Sequence, residues 1–173
     1  MAAKKQSFTL LKVVLSPMNY PYQHLGQSKI SNLPNFIATI VHAYTTKKTN
    51  KLPNKSFVEY IRFILSLTKV SASTILVSLK YLQRLSKQVP LVQGKEYKLF
   101  LVSLILADTY LADSPIAMKK WILIGGVNKK ELNYLMRSFL HAIGYNLFIN
   151  NNQYVEWLST LESKLLKMTI SIS

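Results

Sequence analysis

Few side chains in this sequence could do chemistry, and their spacing argues against a reaction centre. The three histidines, His24, His42 and His141, stand apart. None has a second ligand four residues away, the helical spacing by which two side chains reach one metal ion. The Gly125-Gly126 pair lacks the preceding strand, the further glycines and the Lys with Ser or Thr that a phosphate-cradling loop needs, so it reads as an interhelical turn. Asp108 and Asp113 are the nearest approach to an acidic pair for general acid and base work, and Asp113 is better placed as a helix cap. The sequence has no cysteine, which removes disulfides, thiolate catalysis and Cys-based zinc sites. The chain therefore reads as no enzyme, with no metal and no cofactor, and its function is to be sought in its surfaces.

The elements that would present such surfaces are helices. EYKLFLVSLILADTYLADSPIAMKKW, from Glu96 to Trp121, opens with a helix apolar nearly all the way round, as a central buried helix must be. A turn capped at Asp113, Ser114 and Pro115 then starts a short helix ending near Trp121. The following segment, ELNYLMRSFLHAIGYNLFI, carries Leu132, Leu135, Met136, Phe139, Leu140 and Ile143 on one stripe, so it should pack on the central helix. Leu104, Leu106, Leu135 and Phe139 are expected near the centre of the domain. Upstream, Ser56-Phe57-Val58-Glu59 is a capping box, Ser71 or Ser73 can cap the next helix, and Asn128 with Glu131 repeats the device more weakly. The spacing predicts five helices at about Phe57 to Leu67, Ser73 to Ser86, Lys95 to Ala112, Pro115 to Ile124 and Lys129 to Ile143. A further helix precedes them from Asn35 to Tyr44. Another follows, with Tyr154, Trp157, Leu158 and Leu161 at helical spacing.

The first 34 residues hold Pro17, Pro21, Pro34 and Gly26 and read as an extended arm or linker. The division is thus arm 1–34, preceding helix and loop 35–55, central helices 56–149, trailing helix and tail 150–173. At 173 residues and 49% hydrophobic the chain is one domain's worth of globular protein. Its longest apolar runs, LFLV and LILA around Ser103, are too short to cross a bilayer, so no membrane role is expected. MAAKKQSFTLLKVVL loosely resembles a targeting peptide, but Lys12 interrupts its apolar run and no small-residue cleavage site follows.

The formal net charge is +15, from 22 basic and 7 acidic residues. Only Arg62, Arg84 and Arg137 are arginines. Lysines bind phosphate as point charges, so a salt-dependent affinity for polyanions is one consequence. The other is a solvated surface, favoured because no basic run is interleaved with aromatics in a nucleic-acid-binding motif.

The order of these pieces resembles the cyclin family, in particular the single-box fungal cyclins of the phosphate-signalling, or PCL, type. YIRFILSLTKVSASTILVSLKYLQRL from Tyr60 to Leu85, LVSLILADTYLAD, the DSP turn leading to KKW, ELN followed by FL, GYNLFI and QYVEWL occur in the family's order. The resemblance implies an all-α fold, a single five-helix cyclin box with a preceding and a trailing helix and no second box. It implies a non-catalytic regulatory subunit of the nucleus or cytoplasm that binds a cyclin-dependent protein kinase and controls its activity or substrate choice. In the family, the third and fifth box helices hold the kinase's regulatory helix and so set its active-site ion pair. The corresponding positions here are Leu106, Thr109 and Tyr110 on the third helix and Leu132, Leu135, Met136 and Phe139 on the fifth. For the apolar ones, burial in the chain's own core is the competing role.

The family usually carries a Lys and a Glu where this chain has Thr109 and Met136. Losing both removes an ion pair without stranding one buried charge. Either the interface has become more apolar and still binds a kinase, or the fold persists without kinase activation. A degenerate cyclin-fold adaptor, binding nucleic acid or a transcription or chromatin protein through its lysines, is the alternative. Lysines spread over the rim would favour the kinase, and lysines gathered in a groove the adaptor.

Overall fold

A computed structural model describes residues 32–46 and 53–170, and every regular element among them is an α-helix. The helices are α1 (Asn32–Thr46), α2 (Lys55–Thr68), α3 (Ala72–Gln88), α4 (Glu96–Leu111), α5 (Met118–Gly125), α6 (Lys129–Ala142) and α7 (Asn151–Ile170). The chain divides into two compact units, one of which is Pro34–Leu147 and contains α2 to α6 with nearly all of α1. The N-terminal arm, as far as residue 31, lies outside the described residues. Helix α1 starts earlier than the pattern predicts because Pro34 falls within its first turn, where the missing N–H would have had no intrahelical partner.

The centre of the larger unit is α4. Every residue from Phe100 to Asp108 is buried, so this helix has no solvent face over more than two turns, as its uniform apolarity requires. Helices α2, α3 and α6 pack against it. Its polar residues find local partners: Ser103 donates to the Phe100 carbonyl at 2.9 Å. The carboxylate of Glu96, 8% exposed, accepts the Thr45 hydroxyl of α1 at 3.2 Å. An aromatic cluster fastens α2 to the start of α4, with the Tyr97 ring 5.0 Å from both Phe57 and Tyr60.

The helix starts show where side-chain capping was read correctly. Ser71 accepts the Thr74 N–H at 3.1 Å and Asn128 accepts that of Glu131 at 2.8 Å, as expected of N-caps. At α2 the cap is Asn54, which takes the Ser56 N–H at 2.9 Å. The expected Ser56 and Glu59 box does not form, since Asn54 lies two residues upstream and Glu59 instead pairs with Arg62 at 2.8 Å. Helix α5 likewise differs. It starts at Met118 rather than Pro115, with Ala117 in the cap position and no side-chain cap, so Asp113 caps nothing. The 112–117 loop is held from within α4, where buried Asp108 accepts the Ile116 N–H at 2.8 Å.

In the other unit, α7 is described alone. Asn150 and Gln153 cap it reciprocally at 2.8 and 3.3 Å, and Trp157, Leu161 and Leu165 are buried along one stripe.

Candidate functional site

The last turn of α4 leaves the core. Leu106 still points inward at 4% exposure, whereas Thr109, Tyr110 and Leu111 are exposed, the last two at 46% and 42%. On α6, which packs beside it, Leu132 and Phe139 are buried. Leu135 and Met136 occupy the same stripe between them and are only partly covered. Leu135 is thus not at the centre of the domain as its spacing predicts. Leu140, on the same stripe, is likewise only partly covered, and Ile143 is buried.

The sequence-derived positions therefore fall into two groups. Leu106, Leu132 and Phe139 belong to the buried core, while Thr109, Tyr110, Leu135 and Met136 reach solvent. The N-terminal ends of α4 and α6 are tied by an ion pair between Lys98 and Glu131. Glu131, whose backbone Asn128 caps, directs its carboxylate across to α4.

A second tie borders the exposed end of α4. Arg84, near the end of α3, donates to the Asn146 carbonyl at 2.6 Å, and the buried Tyr81 hydroxyl donates to the Leu147 carbonyl at 2.9 Å. Tyr110 lies close enough to act electrostatically on both donors. Burial, and then the neighbouring Tyr110, pushes the Tyr81 phenol up. Burial lowers the Arg84 guanidinium, with Tyr81 and Tyr110 opposing it. The loop held in this way contains Gly144 at φ 62° and Tyr145 at φ 56°. A tyrosine in the left-handed region carries on the order of 1–2 kcal/mol of strain. Its side chain is nevertheless 65% exposed. Tyr145 and Leu111 are thus two further exposed hydrophobic side chains besides the ones the sequence singled out. The glycine in GYNLFI signals a helix stop. Nothing local to the sequence signals that Arg84, 62 positions upstream, would fix the loop that displays Tyr145.

The arrangement offers aromatic, aliphatic and hydroxyl groups for contact and no reactive set. Among the described residues, no three His, Asp or Glu side chains are grouped to hold a metal ion. No helix among them is long and apolar enough to cross a membrane.

The cyclin family profile matches residues 8–147, and the chain belongs to the cyclin family. This is a family of regulatory proteins without catalytic machinery of their own, so the chain is not an enzyme. It is 23% identical over 133 residues to PHO85 cyclin-5 of Saccharomyces cerevisiae, a match covering 72% of this chain and 58% of that relative. It is 24% identical over 116 residues to Cyclin-U4-1 of Arabidopsis thaliana, covering 65% of this chain and 57% of the relative. For Cyclin-U4-3 of the same plant the identity is 24% over 165 residues, 92% of this chain and 73% of the relative. The chain thus spans less than two thirds of the length of the first two.

Proposed function

We propose that this chain is a single-box cyclin of the fungal PCL type, a regulatory subunit of the nucleus or cytoplasm that binds a cyclin-dependent protein kinase and controls its activity or substrate choice. The observation that carries the reading is the partial exposure of Leu135 and Met136 on the apolar stripe of α6, together with the exposed Thr109, Tyr110 and Leu111 at the end of α4, a helix that packs against α6. A kinase regulatory helix laid across these positions would cover them. With Thr109 and Met136 in place of a charged pair, the contact is made by apolar and neutral polar groups, so its affinity should depend little on salt. One relative is by name a cyclin of PHO85, which makes that partner the first to test. The experiment is co-purification of the tagged full chain with the kinase at low and at high salt. Recovery at both supports the reading, and recovery at neither removes it.

The distribution of lysines supports the same choice over a nucleic-acid or chromatin adaptor. Exposed lysines occur on separate elements: Lys55 on α2, Lys87 on α3, Lys98 on α4, Lys119 and Lys120 on α5, Lys129 and Lys130 on α6. Among the described residues, no single helix carries a basic stripe, as expected of solvated lysines rather than a nucleic-acid-binding face.

A further inference from the structure

The loop between α4 and α5 contains a hydroxyl that the fold does not use. A serine just ahead of a helix ordinarily serves as its N-cap. Ser114 does not, since α5 begins at Met118 behind Ala117 and has no side-chain cap. Nor does Ser114 hold the loop, because that role falls to Asp108 through the Ile116 N–H at 2.8 Å. Among the described residues, it is the one exposed serine or threonine that is neither within a helix nor engaged as a cap. Ser71, the other such residue outside the helices, spends its hydroxyl on the Thr74 N–H.

Ser114 is followed by Pro115, also exposed. A proline disfavours helical geometry in the residue before it and presses that residue toward an extended backbone. The segment is already irregular, with a bend at Asp113 and Ser114 between Ala112 at φ −81°, ψ 135° and Ala117 at φ −58°, ψ 138°. A protein kinase must bring the acceptor hydroxyl to its catalytic-loop carboxylate, which an exposed, non-helical segment permits more readily than a helix.

From these features we infer that Ser114 is a phosphorylation site for a proline-directed protein kinase acting on the 112–117 loop. The γ-phosphoryl group of ATP passes to Ser114 Oγ. The bond from the γ-phosphorus to the β,γ-bridging oxygen breaks, a bond to Oγ forms, ADP leaves, and the hydroxyl proton goes to the kinase's carboxylate. The product carries a charge of about −1.5 to −2. It lies just upstream of the uncapped first turn of α5, which includes the exposed Lys119 and Lys120. Both the unpaired N–H groups and the lysines favour an anion there. The inference is independent of kinase docking on α4 and α6, since it requires only that the loop serve as substrate.

The test uses the full chain bearing Ser16→Ala, which removes the one other Ser-Pro step in the sequence, Ser16-Pro17. The probe is a purified cyclin-dependent kinase already holding its own cyclin, supplied with magnesium and ATP, with the site read by mass spectrometry. The expected result is phosphate at Ser114, abolished by Ser114→Ala and slowed about tenfold or more by Pro115→Ala. Circular dichroism of both variants should be unchanged, because the two side chains are exposed. Absence of phosphate at Ser114 in the Ser16→Ala chain overturns the inference, as does equal labelling of the Pro115→Ala chain.

Discussion

The carboxylate of Asp108, buried in the penultimate turn of α4, accepts the backbone N–H of Ile116 at 2.8 Å across the loop that leads to α5. One side chain thus ends the central helix and sets the entry to the next. A hydrogen bond to a charged group contributes roughly 1.5–3 kcal/mol. Asp108→Ala should therefore lower the unfolding free energy by about 2 kcal/mol. Asp108→Asn, whose amide oxygen can still accept, should lose less. Urea denaturation with an unchanged slope checks both, and an Ala variant as stable as the parent would remove the loop anchor.

Packing of α5 gives a second prediction. A Cβ at Gly125 would stand 2.5 Å from Leu101 Cδ2, and Leu101 is itself 1% exposed with little room to withdraw. Gly125→Ala should cost about 1–2 kcal/mol through overpacking. Gly126→Ala meets no neighbour but must hold φ 62°, and should cost about 1 kcal/mol. Chemical denaturation of the two variants separates crowding from backbone strain when combined with Leu101→Val, which should relieve only the first.

The buried phenols predict loss of stability in alkali. Tyr44, Tyr60 and Tyr81 all sit above the ordinary value of 10.0, chiefly through burial, and Tyr60, with Tyr97 beside it, is pushed up to about 12. As pH rises past about 10 the unfolded chain releases these protons while the folded chain retains them, so the folded state binds more protons and stability falls. For Tyr60 that window closes near pH 12. Tyr60→Phe should flatten the decline, measured as urea midpoints between about pH 9 and 11. An unchanged slope would mean that Tyr60 ionises freely in the folded chain.

The lysine excess predicts weak, salt-sensitive polyanion binding. Affinity for random duplex DNA should fall steeply with salt and vanish near about 150 mM, as expected of scattered point charges. Salt-resistant, sequence-dependent binding would favour the adaptor.

What the sequence made legible was set by the range of the interactions concerned. The apolarity from Phe100 to Ala107, broken only by Ser103, revealed the central helix, and Ser71 and Asn128 revealed their caps, because each depends on neighbours within one or two turns. Asp113 misled because a carboxylate eight residues from Ile116, Asp108, does the holding, and a local rule has no access to that contact. At the candidate site, stripe membership of Leu132, Leu135, Met136 and Phe139 was legible. Which of them the core would cover was not, since that depends on the helices laid against α6. Tyr145 was missed for the same reason, its display resting on Arg84 in α3.

The role assigned to the partly exposed stripe of α6 is tested by binding of the purified full chain to a purified cyclin-dependent kinase, comparing the parent with Met136→Arg. A charge placed at the centre of a desolvated contact should weaken binding by about 2 kcal/mol or more, roughly 30-fold. Because Met136 is only partly covered, the helical signal and thermal midpoint should stay close to those of the parent. The paired change Thr109→Lys with Met136→Glu should be better tolerated than either alone, each charge then having a partner. A parent chain that does not bind, a Met136→Arg chain that stays folded and binds equally well, or one that unfolds would each contradict docking at this surface.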